Sequence, residues 1–173
     1  LEFCARVVLV TKPRYREPRW SSLLPADIHE FRSAAMRQAL AAERREFGFE
    51  LLQVEYTQLA EYRGDVLVEH DVTFDLFGQI ARRERTFSST WDYLRWYHFE
   101  SSAIHRYRSV VVMSGKDVEL VGPNVRATVI ENGVDLNRFS AAPEKPGERL
   151  LFIGSFRHFP TWRPIVLYGA GLA

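Results

Sequence analysis

Short apolar runs recur along this chain, separated by longer stretches whose apolar positions fall at helical spacing. The runs "ARVVLVTK" (5–12), "ELLQVEY" (50–56), "DVLVEHD" (65–71), "VVVM" (110–113), "RATVI" (126–130) and "RLLFIGSF" (149–156) read as strands. They are continuous rather than alternating, the pattern of strands buried on both faces. Between them, residues 26–48 predict one helix: Pro25 suits its start, Gly48 its end, and Ile28, Phe31, Ala35, Ala39 and Leu40 form its stripe. "TQLAEYRG" is too short for a long helix. Residues 74–108 are helical in two segments broken near Ser88–Thr90, and "SGKDVELVG" offers a short helix. The proline-punctuated stretch 13–25 is loop. Strands alternating with helices predict βα units and a mainly parallel α/β sheet.

In such sheets ligands bind beyond the carboxyl ends of the strands. The residues to weigh are therefore Glu55-Tyr56-Thr57, His70-Asp71, Ser114, Asn132-Gly133 and Gly154-Ser155. His70 follows "DVLVE" directly, where an imidazole can donate, accept or transfer a proton at neutral pH; its plainer reading is a loop histidine packed on Phe74. Asp71 could orient His70 but reads better as the cap of the next helix. Glu55 and Glu69 both end strands and could form an acid–base pair, although pairing with an arginine is the commoner arrangement. Gly154 would allow close approach to a ligand, and Arg157 beside it would suit a diphosphate.

Other clusters point less sharply. Lys12, Arg14, Arg16 and Arg19 with Tyr15 and Trp20 could bind phosphate or a lipid head group, but a solvated loop explains them as well. Trp91, Tyr93, Trp96, Tyr97 and Phe99 occupy several faces of one helical segment, which favours a packed helix over a membrane-surface one. His98 and His105 lie two turns apart, too far to share a metal simply, and His29 adds nothing to them; no metal or other cofactor is expected. No Gly-x-Gly-x-x-Gly and no P-loop follows any strand.

The chain has 173 residues, 46% hydrophobic and 26% charged, with a net charge of +1. That composition fits a globular chain and gives no electrostatic reason to expect nucleic acid. The single cysteine, Cys4, fits a reducing compartment, and no apolar run reaches the ~20 residues of a membrane span. The opening on Leu1 and the ending "YGAGLA" both read as cuts, which predicts a fragment.

In "VIENGVDLNRF" (129–139) an Asn-Gly pair, ordinarily a hairpin signal, is followed by a polar, proline-containing stretch instead of a partner strand. Taken in order, "VEHD", Phe99-Glu100, "VVVMS", this segment, a proline-containing linker and "LLFIGSFRHFP" resemble the retaining glycosyltransferases of the GT-B fold, the group 1 or family 4 class. The resemblance spans about residues 50–160. It departs from the family phrase at Glu131, where Pro is usual, and at Thr161, where Asn is common; the tail after Pro160 does not match.

The resemblance implies a Rossmann-like three-layer parallel sheet as the acceptor-side domain (1–139), lacking its usual first strand. A linker (140–148) and the first strand of a truncated nucleotide domain (149–173) would follow. It implies transfer of a sugar from a nucleotide-sugar donor to a carbohydrate or lipid-linked acceptor, without metal, and a fragment inactive by itself. The implied catalytic residue is His70. Gly154, Ser155 and Arg157 would meet the donor diphosphate, Glu55, Tyr56 and Asp71 would line the acceptor cleft, and Asn132, Gly133 and Asp135 would form the hinge. Glu100 and Ser114 match positions that look structural in the family. The implied location is cytoplasmic, with room for peripheral contact at the inner membrane face and for oligomer contact through the exposed surface of the truncated domain. A sugar-nucleotide epimerase with the same layout, or a non-catalytic Rossmann-like binding module, are the competing expectations.

Overall fold

The computed structural model describes residues 4–12, 14 and 22–138. Four short strands, β1 (Gln53–Glu55), β2 (Val66–Glu69), β3 (Ser109–Val112) and β4 (Ala127–Val129), form a parallel sheet in the order β1-β2-β3-β4. The helices are α1 (Ala26–Phe31), α2 (Ala34–Phe47), α3 (Thr73–Glu84), α4 (Phe87–Ile104) and α5 (Gly115–Val121), with a 3-10 helix at Thr57–Tyr62. The chain divides into two compact units, Leu1–Gly133 and Val134–Ala173. All these elements belong to the first.

Three of the four strands fall inside the runs that hydrophobicity selects, and β3 begins one residue ahead of its run, at Ser109. Leu67, Val110 and Val112 are completely buried, which is why β2 and β3 read as unbroken apolar stretches. Trp96, Phe99, Ala103 and Ile104 from α4 complete the core with Ile28, Val54, Val72, Tyr107 and Val121. The aromatic segment is thus a packed helix: Phe77 of α3 stacks on Trp96 at 5.6 Å. No helix among the described residues is long and apolar enough to cross a membrane.

Several boundaries differ from expectation. Residues 5–12 form no strand; Leu9 is 91% exposed, so this run has no sheet to bury it. The helix expected over 26–48 is two helices. Ser33 takes an extended conformation and its hydroxyl caps α2 by accepting from Met36 N. The Tyr62 hydroxyl holds the break from outside, donating to Phe31 O and accepting from Ser33 N. α2 ends as predicted, on Gly48 in the left-handed region at φ 58°. The break between α3 and α4 falls at Arg85-Thr86, ahead of Ser88. Arg85 is left-handed and Thr86 caps α4 through Ser89 N.

Gly64 is fixed by space. A β-carbon there would lie 2.4 Å from Leu52 O and 2.8 Å from Val54 Cγ2. The same carbonyl accepts from Asp65 N at 2.8 Å, tying the entry of β2 to β1. Gly64→Ala is expected to destabilise the chain by about 1–3 kcal/mol, read as a lower urea midpoint at unchanged m-value.

Candidate functional site

Parallel register brings together three of the residues expected in the cleft. Glu55 pairs with Val68 across β1 and β2, so His70, two residues on, falls on the same face just past the strand end. His70 Nε2 lies 2.9 Å from Glu55 Oε2. Gln53, also two residues from Glu55, donates its amide to the other carboxylate oxygen and fixes the rotamer. An ionised carboxylate can only accept, so the proton of this bond sits on Nε2. A neutral imidazole then presents an unprotonated Nδ1, ready to accept from a hydroxyl.

Tyr56 covers the pair. Its ring stacks on His70 at 4.3 Å and 23°, with 53% of the residue exposed. Its backbone is at φ 68°, ψ 139°, a region that residues with a β-carbon rarely enter. Tyr56 N donates to Val68 O at 3.0 Å, so the sheet's own hydrogen bonding holds the strained turn in place. Strain of this kind costs about 1–3 kcal/mol and concentrates at functional sites. Tyr56 also edges a cleft of about 470 Å³ with Asp27, Glu30, Phe31, Gln58 and Leu59. Lys12 pairs with Glu30 and lies 5.0 Å over the Phe31 ring.

The expected pairings around these residues need correction. His70 packs on Tyr56; Phe74 instead meets Tyr97 edge-on at 5.4 Å. Among the described residues Glu55 pairs with a histidine and not with an arginine. Asp71 is exposed and does not cap α3, whose cap position is Val72. The free amides of Thr73 and Phe74 are taken by the Glu100 carboxylate, at 2.9 and 2.6 Å.

Glu69 points to the opposite face from His70, as alternation along a strand requires. It is 1% exposed and shares the Thr57 hydroxyl with Glu100, which is fully buried. One hydroxyl carries one proton, so Thr57 can donate to only one of the two carboxyls; the other must itself donate. Burial, and then the charge of Glu100, push Glu69 up to about 8, so Glu69 is the protonated member. The chain of donors runs Glu69, Thr57, Glu100. Burial also raises Glu100, against the pull of the two α3 amides, which favour its ionised form. This carboxyl pair is sealed in the core.

Asn132 and Gly133 are exposed and make no turn; Gly133 is not in the left-handed region. The turn comes later, where Asp135 Oδ1 accepts from Asn137 N at 2.9 Å and Asp135 O from Arg138 N at 3.1 Å. Ser114 caps α5 by accepting from Asp117 N. Gly154, Ser155 and Arg157 lie outside the described residues, as do Arg16 and Arg19. Among the described residues no group of three or more His, Cys, Asp or Glu is placed to hold a metal ion.

Sequence reasoning passed over Gln53, Asp27, Glu30 and the role of Thr57. Gln53 had a usable signal, because it shares the strand face of Glu55. No family model, curated protein or solved structure matches this chain.

Proposed function

We propose that this chain forms the acceptor side of an enzyme that transfers a sugar from a nucleotide-sugar to a carbohydrate or lipid-linked acceptor, on a Rossmann-like domain of the GT-B type. The observation that carries the reading is the Glu55–His70 hydrogen bond beneath an exposed Tyr56, at the carboxyl edge of a parallel sheet. A carboxylate that fixes one imidazole nitrogen leaves the other to meet a sugar hydroxyl, as donor or acceptor according to its charge. The adjoining cleft suits a polyol. Asp27, Glu30 and Gln58 offer acceptors and an amide, while Phe31 and Tyr56 offer ring faces to the C–H side of a sugar. The order of motifs from "VEHD" to "FIGSF" supports the same class.

Catalysis would rest on positioning and on electrostatic stabilisation of the departing diphosphate. In the intact protein, His70→Ala is expected to lower kcat by about 10²-fold or more. The side chain is 34% exposed, so the thermal melt should be little changed. An unchanged kcat would remove His70 from the site. Incubation with labelled nucleotide-sugar and acceptor separates the competing chemistry: label found only in an isomerised nucleotide-sugar would mean an epimerase.

A further inference from the structure

A second cleft, of about 550 Å³, opens at the other end of the sheet. It is lined by Arg32, Arg37, Arg63 and Arg106 around Glu61 and Tyr62, with Leu24, Leu40 and Phe99 as apolar wall. Arg63 and Arg106 each stand three residues before a strand, β2 and β3, and so mark the amino-terminal edge. Four arginines and one glutamate line it, a surplus of three positive charges.

The charges are not equivalent. Glu61 bonds to both Arg32 and Arg37 and holds them as a fixed frame. Arg37 also lies 5.8 Å over the Tyr62 ring. Among the described residues Arg106 bonds through Nε alone, donating to Ser102 O at 3.0 Å, which leaves its two terminal nitrogens. Arg63 makes no side-chain ion pair among the described residues, and its backbone is left-handed at φ 55°, ψ 86°. A glycine would sit there at lower cost. The α4 carboxyl end nearby brings a partial charge of only about −0.5, which Arg106 already meets. That is too little to cancel the surplus.

We propose that this cleft is a binding site for a small phosphorylated ligand, with Arg63 and Arg106 as the two groups that close on the phosphate and the Arg32–Glu61–Arg37 frame as its fixed wall. Guanidinium forks match phosphate oxygens in pairs, and two or more converging forks favour a phosphate over a carboxylate. The site is independent of the chemistry at the opposite edge.

The test is calorimetric titration of the full chain with inorganic pyrophosphate. Saturable binding is expected, weakened at least tenfold in Arg63→Gly combined with Arg106→Gln. Arg63→Gly alone relieves the strained backbone, so it should bind more weakly while melting no lower than the parent. Absence of saturable binding, or an affinity unchanged in the double variant, would overturn the proposal; the latter would place the phosphate elsewhere on the chain. Co-sedimentation with phosphatidylcholine vesicles containing phosphatidic acid tells the two sources apart. Pelleting that pyrophosphate abolishes assigns a lipid head group, and pyrophosphate binding without pelleting assigns a free ligand.

Discussion

Glu100→Ala is expected to cost about 3–5 kcal/mol of folding stability, the largest loss from any single change considered. The carboxylate is completely buried and accepts from Thr73 N, Phe74 N and the Thr57 hydroxyl. Truncation would orphan these donors in the core and leave a cavity beside β2. Glu100→Gln keeps the shape but turns an amide N–H toward one backbone N–H, so an intermediate loss is expected. Chemical denaturation of the three proteins at one pH checks the order. A loss below about 1 kcal/mol for the alanine variant, the range of an ordinary surface change, would show that water satisfies these donors.

The second large effect is a pH dependence, and its sign follows from Glu69. Unfolded, this carboxyl loses its proton near 4.5; folded, it holds it until about 8. Between those values the folded chain carries a proton that the unfolded chain lacks. Its contribution is therefore fully present below about pH 4.5 and is lost as pH rises through about 8. At about 1.4 kcal/mol per pH unit, the fall across the window is on the order of 5 kcal/mol. Glu69→Gln should remove most of this slope, because the amide donates to Thr57 without titrating. The variant should match the parent near pH 4 and exceed it near pH 9. Glu100, raised in the same direction, leaves a residual slope in both proteins. Urea midpoints measured across that range decide it; parallel curves for the two proteins would mean that Glu69 is already ionised in the fold.

Much of the fold was legible because burial leaves a strong mark. "DVLVEHD" and "VVVM" could hardly be anything but buried strands, and Leu67, Val110 and Val112 are indeed completely buried. The same rule misread "ARVVLVTK", since an apolar run does not say whether a partner strand exists. The split of the long helix at Arg32-Ser33 depends on Tyr62, about thirty positions away, and no local pattern carries that. Thr86, by contrast, was readable as a cap before Phe87 and was passed over for the serines after it.

At the site, Glu55, Tyr56 and His70 could be grouped because adjacent parallel strands end together. Glu100 could not be joined to Glu69. The link runs through a threonine on a separate turn, and a single acid among Trp96, Phe99 and Ile104 looks like any helical glutamate until its burial is known. Asp71, adjacent to His70 in sequence, was favoured as a cap for the same reason: proximity along the chain is visible, whereas a carboxylate arriving from another helix is not.

The strand order has a consequence for how the domain assembles. Gln53 pairs with Val66, thirteen positions on, and Val110 with Ala127, seventeen on; Val66 and Ser109 are forty-three apart. Two of the three seams are therefore local, and closing their loops costs little entropy. The β2–β3 seam spans the whole α3–α4 hairpin and must await it. Folding should proceed as two quick βx-β halves that meet at this seam in the slow step. The Glu69–Thr57–Glu100 proton chain ties β2 to α4 and, through Glu100, to the start of α3. A charge left on Glu69 at high pH would then act on the rate at which the halves join as well as on how firmly they stay joined.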